Sequence, residues 1–221
     1  MERHFDAVIF DFGGVLTTSP FTAIQDMAAN EADGAALLEL MLGPYDQDTD
    51  HPFHRLERGE STGAEYGVWL VGQLAALELS IESRGGGLDS LVTVIPSSVD
   101  AVREVRAAGY RTALLTNNIA HERETWRAML PLDELFDVIV DSSEVGMRKP
   151  DPRIFDLTLA ELGVDAGRAV FLDDAPGNVA AARGLGLSAI LVGEPVTAAL
   201  EELRGLLTSG PDTSGVAPPS N

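Results

Sequence analysis

The sequence predicts an α/β fold, a doubly wound parallel sheet carrying a helical insertion after its first strand. Three observations support this. Five short apolar runs, rich in valine and isoleucine, recur at residues 5–10, 111–115, 137–140, 169–172 and 188–192. Runs that are short and apolar throughout fit strands buried on both faces, as a parallel sheet requires. Segments with apolar residues at three-to-four spacing, 99–108, 122–130, 152–162 and 178–185, alternate with the last four runs. Such alternation of strand and helix is the signature of the α/β class. The interval from residue 17 to about 96 has no clear strand but several helical segments.

In chain order, the first run ends at Asp11 and is followed by Gly13-Gly14, where the backbone can turn sharply. The long interval then offers helices at 21–29, 34–42 and 64–77, with the glycine run Gly85-Gly86-Gly87 near its return. Ligands of an open sheet sit beyond the carboxyl ends of its strands, so an insertion leaving from that edge would cover the site. The second run leads into Thr116-Asn117-Asn118 and the third into a short loop before Arg148-Lys149-Pro150. There Asp151 is a good N-cap, and Pro152 fits the first position of the next helix. The fourth run ends at Asp173-Asp174. Residues 208–221, rich in Ser, Gly, Pro and Thr, predict a disordered tail. The expected division is a core of residues 1–16 and 97–207, a helical insertion at 17–96 and the tail.

Composition narrows the function. Thirty-five acids face fifteen bases, a formal net charge of -20, and Lys149 is the only lysine. Such a surface repels nucleic acid phosphates and anionic lipid, so neither nucleic acid nor membrane is expected as a partner. The absence of cysteine excludes disulfides, thiolate metal sites and cysteine nucleophiles. No apolar run has the roughly 18 residues of a membrane span. The N-terminal residues carry no signal-peptide pattern, and a cytoplasmic location is the expectation.

Four clusters share one placement, beyond the C-terminal end of a predicted strand: Asp11, Thr116-Asn117, Lys149, and Asp173-Asp174. Parallel strands would bring them to one edge of the sheet. A lone Asp after a strand can simply cap a loop; a carboxylate in that position can also attack an electrophilic centre. Adjacent acids at a helix N-terminus can be caps. Three carboxylates on one edge, however, call for a cation, and an oxygen-only ligand set points to magnesium. Thr116 brings a hydroxyl, and the N–H groups after it suit a phosphoryl oxygen; an N-cap is the compatible alternative. Lys149 would project from a well-defined loop.

The segments Asp11-Phe12-Gly13-Gly14-Val15, Leu114-Leu115-Thr116-Asn117, Lys149-Pro150-Asp151-Pro152 with Ile154-Phe155, and Phe171-Leu172-Asp173-Asp174 with Asn178 resemble four ordered motifs. They are those of the haloacid dehalogenase (HAD)-like hydrolase superfamily, and the resemblance spans residues 5 to about 195. Gly146-Met147-Arg148-Lys149-Pro150 is most similar to the bacterial sugar phosphatases and the N-terminal phosphatase domain of soluble epoxide hydrolases. Leu56-Glu57-Arg58-Gly59-Glu60 is similar to a turn in the helical cap of that branch. The resemblance implies a Rossmann-like doubly wound parallel sheet with a helical cap inserted after strand 1. It also implies a phosphatase acting on a small phosphorylated metabolite through an aspartyl-phosphate. Asp11 would be the nucleophile. Mg2+ would be held by Asp11, the carbonyl of Gly13 and Asp174, with Asp173 acting through water. Thr116 and Asn117 would hold phosphoryl oxygens, and Lys149 would balance the charge.

One position departs from the pattern. Most phosphatases of this superfamily carry a second aspartate two residues after the nucleophile, where this chain has Gly13. That aspartate is a general acid/base, a role worth about 100- to 10,000-fold in rate. A substrate with a good leaving group, such as an acyl or phenolic phosphate, would explain the loss. So would a substitute from the insertion, His51 or His54, or a weak or inactive phosphatase. Two further readings stay open: a 2-haloacid dehalogenase, and a binding or regulatory protein on the same fold. Tyr45, Phe53, Tyr66 and Trp69 either line a specificity pocket or pack the insertion.

Overall fold

Five strands make one sheet: β1 (Ala7–Phe10), β2 (Arg111–Thr116), β3 (Val138–Asp141), β4 (Ala169–Asp173) and β5 (Ser188–Leu191). The structure, a computed structural model, describes residues 3–25, 31–77 and 92–209. Every neighbouring pair is parallel, in the order β3-β2-β1-β4-β5. All five expected strands are present, with ends within two residues of the apolar runs.

β1 lies at the centre and is buried along its whole length. Its side chains alternate between faces, as the two-residue period of a strand requires. Val8 and Phe10 join one apolar layer with Leu114, Val170 and Leu172. Ala7 and Ile9 join the other with Ala113, Leu115 and Phe171. Neither face of β1 tolerates a polar residue, which is why its sequence is apolar without alternation.

Between β1 and the start of α5 (Pro96–Ala107), the described residues form four helices: α1 (Pro20–Gln25), α2 (Glu31–Leu42), α3 (Pro52–Glu57) and α4 (Gly63–Ala76). They share their own apolar cluster, in which Ile24, Leu37, Phe53, Leu56 and Leu74 meet Ile119 from the loop after β2. The segment leaves and returns side by side. Thr17 and Val94 form an antiparallel bridge, and Ile95 N donates to Leu16 O at 2.8 Å. α3 was not among the helices expected from periodicity. It is only six residues long, too short for a 3.6-residue period to register, and its start depends on a cap. The His51 side chain accepts from Phe53 N, and Pro52 occupies the first turn. α4 opens on a capping box between Thr62 and Glu65.

The remaining helices are α5 (Pro96–Ala107), α6 (Arg123–Ala128), α7 (Leu132–Leu135), α8 (Ser142–Val145), α9 (Pro152–Leu162), α10 (Pro176–Gly184) and α11 (Thr197–Ser209). α5 and α11 cover the face of Val8 and Phe10; α9 and α10 cover the opposite face. The segment read as one helix over 122–130 is a 3₁₀ turn, Ala120–Glu122, followed by the shorter α6. α11 was not foreseen, and it takes in the first two residues of the stretch read as a tail. The rest of that tail, the glycine run at 85–87 and the end of the 21–29 helix lie outside the described residues. Among the described residues, no helix is long and apolar enough to cross a membrane.

Candidate active site

The strand order reverses at β1: β2 and β3 lie to one side, β4 and β5 to the other. Connections leaving in opposite directions open a crevice at the carboxyl ends of β1 and β4, where ligands of doubly wound sheets bind. Asp11 and Asp173 sit in that crevice side by side. Asp11 N donates to Leu172 O at 2.9 Å, continuing the register of the sheet.

Lys149 ties the two strands together. Its ammonium is fully buried and lies 2.7 Å from Asp11 Oδ1 and 2.7 Å from Asp173 Oδ2. It also donates to the carbonyl of Leu115 at 2.9 Å, so all three of its donors are engaged. Burial works against this ammonium, but Asp11 and Asp173 outweigh it and hold its pKa above the usual lysine value. Burial pushes the Asp11 carboxyl well above the ordinary range; Lys149 opposes that shift, and Asp173 and Asp174 add to it.

Asp173 and Asp174 are adjacent but differently used. Asp173 Oδ1 accepts from Ala175 N at 2.8 Å and Asn178 Nδ2 at 3.0 Å, while its other oxygen meets Lys149. It therefore orients Lys149 and the start of α10. Asp174 accepts from Ser19 Oγ at 2.8 Å. Burial, reinforced by the charge of Asp173, pushes its pKa up to about 6, against the pull of Ser19. Gly14, at φ +70°, brings its backbone against this carboxylate, and a Cβ there would run into it.

Asp11, Asp173 and Asp174 each offer an oxygen within 4.8 Å of the others. One ammonium does not balance three carboxylates, and the repulsion among them adds to the burial that raises the pKa values of Asp11 and Asp174. An oxygen-donor cluster of this kind fits a hard divalent cation.

Thr116 ends β2 and is buried at the wall of a cleft between the sheet edge and the insertion. Asn117 lies beside it, but its carboxamide is turned to the loop of Lys149. Oδ1 accepts from Lys149 N at 2.8 Å and Nδ2 donates to Lys149 O at 3.0 Å. The side chain thereby clamps the loop, whose buried backbone needs partners, which leaves the backbone N–H after Thr116 as the group of Asn117 for the expected phosphoryl oxygen. The cleft is lined by Phe12, Gly13, Phe21, Tyr45, Phe53 and Trp126, among others.

The proposed histidine substitutes are placed elsewhere. His54 is buried, with Nδ1 accepting from Thr49 N at 3.0 Å, and burial lowers its pKa to about 3. His51 caps α3 and its ring meets Trp69 edge-on. Neither is among the residues lining the cleft. The four aromatics divide likewise: Tyr45 and Phe53 line the cleft, whereas Tyr66 bonds Met41 O and tilts against Trp69.

Sequence reasoning missed a second buried ion pair. Arg148, next to Lys149, is fully buried and donates from Nε to Glu57 Oε2 at 2.7 Å. It also donates to Gln47 O at 2.7 Å, and its guanidinium lies 5.0 Å from the centre of the Tyr45 ring. Tyr45 donates to the other Glu57 oxygen at 3.0 Å. The pair joins the end of α3 to the lysine loop. Its sequence signal was present in the two stretches containing Glu57 and Arg148, but nothing in one sequence pairs them.

A protein-family model for haloacid dehalogenase-like hydrolases matches residues 5–186. The chain is 36% identical over 213 residues to mouse acyl-CoA dehydrogenase family member 10, covering 93% of this chain and 19% of that protein. It is 26% identical over 236 residues to a phosphatase of Mycobacterium tuberculosis, covering 96% of this chain and 98% of that protein. It spans 19–37% of the length of the mammalian relatives it matches. A HAD family enzyme of Bacteroides thetaiotaomicron, solved with magnesium and inorganic phosphate, shares the fold. The TM-score is 0.60 at 20% identity, covering 86% of this chain and 96% of that one.

Proposed function

Because the chain belongs to the haloacid dehalogenase-like hydrolase family, we propose that it is a magnesium-dependent phosphatase of a small phosphorylated substrate, with Asp11 as nucleophile. The observation that carries this reading is the grouping of Asp11 with Lys149, Asp173 and Asp174 at the carboxyl edge of β1 and β4. Helices α1 to α4 act as a cap over the cleft, with residues 17–96 as the cap and 1–16 and 97–207 as the core.

Asp11 attacks phosphorus in line and becomes phosphorylated; water then releases the phosphate. Lys149 holds Asp11 in the attacking position and offsets the charge of nucleophile and phosphate. The Thr116 hydroxyl holds a phosphoryl oxygen, and the contribution of Asn117 reduces to its backbone N–H. Asp11, the Gly13 carbonyl and Asp174 would hold magnesium, with Asp173 behind them. When bound, the ion neutralises the anionic oxygens of the transferring group.

Phosphate release from para-nitrophenyl phosphate tests this. It should require magnesium and fall by on the order of 1,000-fold or more in Asp11→Asn, which keeps the shape but loses the nucleophile. Activity surviving that change would remove Asp11 from the role. Gly13, in the place of the usual acid/base aspartate, favours one second reading, a 2-haloacid dehalogenase. Halide release in the presence of a chelator would establish it.

A further inference from the structure

Resting on the phosphatase reading, we infer that the substrate's leaving group is a phenol, so that the site takes aryl phosphate monoesters in preference to sugar phosphates. Two independent observations point there, one in the cleft wall and one at Gly13.

The cleft wall presents five aromatic side chains, Phe12, Phe21, Tyr45, Phe53 and Trp126. Phe21 and Tyr45 already meet edge-on at 4.6 Å, as do Phe12 and Trp126 at 5.3 Å. A further ring entering between them finds the edges and faces that aromatic pairs favour. Most polar side chains of the same wall already have partners. Both Glu57 oxygens accept, from Tyr45 and Arg148. The Asn117 carboxamide holds the Lys149 backbone, and Asn118 Oδ1 accepts from Ile119 N at 2.9 Å. Thr17 Oγ1 donates to Phe12 O at 3.3 Å. Trp126 Nε1 is a buried donor of this wall without a partner, but most hydroxyls of a sugar would meet partners already engaged, at a cost of about 1–3 kcal/mol for each one buried unpaired.

The second observation is the missing acid. A Cβ on Gly13 would lie 3.2 Å from Pro20 Cδ, so the first turn of α1 crowds the place an aspartate would start from. Glu57 is held in its ion pair, and Glu122, the other carboxylate of the wall, lies 3.7 Å from the His121 ring. Without a dedicated proton donor among the described residues of the wall, the leaving oxygen departs as an anion. Phenols ionise near pH 10, as tyrosine does, whereas sugar hydroxyls are far weaker acids. An acyl phosphate also leaves easily, but it would release a carboxylate against Glu57 and Glu122. A phenol ends neutral.

In the step, an Asp11 carboxylate oxygen bonds to phosphorus as the bond from phosphorus to the aryl oxygen breaks. The electron pair leaves on the phenolate oxygen, which takes a proton from water. A water oxygen then bonds to phosphorus as its bond to Asp11 breaks. The carboxylate is regenerated, and inorganic phosphate departs with the hydroxyl, the remaining proton passing to solvent.

The test compares 2-naphthyl phosphate, ring-substituted phenyl phosphates and glucose 6-phosphate, with magnesium, on the full chain and on Asp11→Asn. Naphthyl phosphate should exceed glucose 6-phosphate in kcat/KM by about 100-fold or more. Among the phenyl phosphates, the rate should fall steeply as the phenol becomes less acidic. Phe21→Asn should raise KM for naphthyl phosphate several-fold while leaving inhibition by inorganic phosphate unchanged. Equal Asp11-dependent turnover of glucose 6-phosphate overturns the inference and spares the phosphatase reading. So does a rate indifferent to phenol acidity, since Glu122 or another group would then be protonating the oxygen. Phosphate release that is absent, or unaffected in Asp11→Asn, on every substrate overturns both.

Discussion

At the scale of single residues, one ammonium in the crevice serves two carboxylates and a carbonyl at once. A guanidinium presents its donors in a planar fork, whereas an ammonium is a point charge with three rotatable donors. That difference explains why the chain's sole lysine stands there while every other base is arginine. His54 shows the opposite treatment of charge. Its ring is buried without a carboxylate partner in the described structure, near the charge of Arg148, and its pKa is pushed down to about 3. Between that value and the ordinary value near 6.5, the unfolded chain binds a proton that the folded chain refuses. Stability is therefore fully retained above pH 6.5 and declines as pH falls below it, by up to about 1.4 kcal/mol per unit. His54→Asn removes that proton from the balance. In urea denaturation between about pH 7.5 and pH 5, the gap between wild type and His54→Asn should narrow as the pH falls. A constant gap would mean that His54 is not held neutral.

At the scale of elements, the buried Glu57–Arg148 pair holds the end of α3 against the loop that carries Lys149. Removing one partner of a buried pair strands the other charge, at a cost of about 3–5 kcal/mol. Arg148→Met and Glu57→Leu should each lose that much in chemical denaturation. The double variant should lose less than the sum, because no charge is left unpaired; additive losses would mean that the pair is not coupled. The contrast in legibility lies at this scale as well. The strands could be read because each residue of a run such as Ala7-Val8-Ile9-Phe10 must be apolar on both faces. α9 could be read because Asp151 and Pro152 mark its start and Gly163, in the left-handed region, its end. α3, α7 and α8 are four to six residues long and depend on caps and neighbours rather than on periodicity. The same limit applies to the site. Asp11, Thr116, Lys149 and Asp173-Asp174 follow strand ends, so topology gathers them. The Asn117 clamp and the Glu57–Arg148 pair depend on tertiary contacts 32 and 91 residues apart, which no local pattern encodes.

At the scale of the whole molecule, the net charge of -20 acts on any anionic substrate before it reaches the crevice. The one lysine, beside Asp11, is buried and already matched by Asp11 and Asp173, so it contributes little field at a distance. Arginines that could offset the acids are partly paired locally, as Arg168 is with Asp6 and Arg106 with Asp137. On the proposed phosphatase reading, a phosphate dianion therefore approaches against a repulsive field that neither a bound magnesium nor Lys149 would cancel until it is close. Salt shortens the reach of that field, to about 10 Å at 0.1 M and about 30 Å at 0.01 M. Once the substrate is seated, its surroundings are shielded from solvent ions by the cleft. The expected signature is a rise in kcat/KM of roughly two- to threefold between about 10 mM and 150 mM salt, with kcat unchanged. The measurement belongs at saturating magnesium, so that screening of metal binding does not enter. A kcat/KM that stays flat over that range would mean that local charges at the cleft mouth, rather than the molecular total, govern the approach of the phosphate.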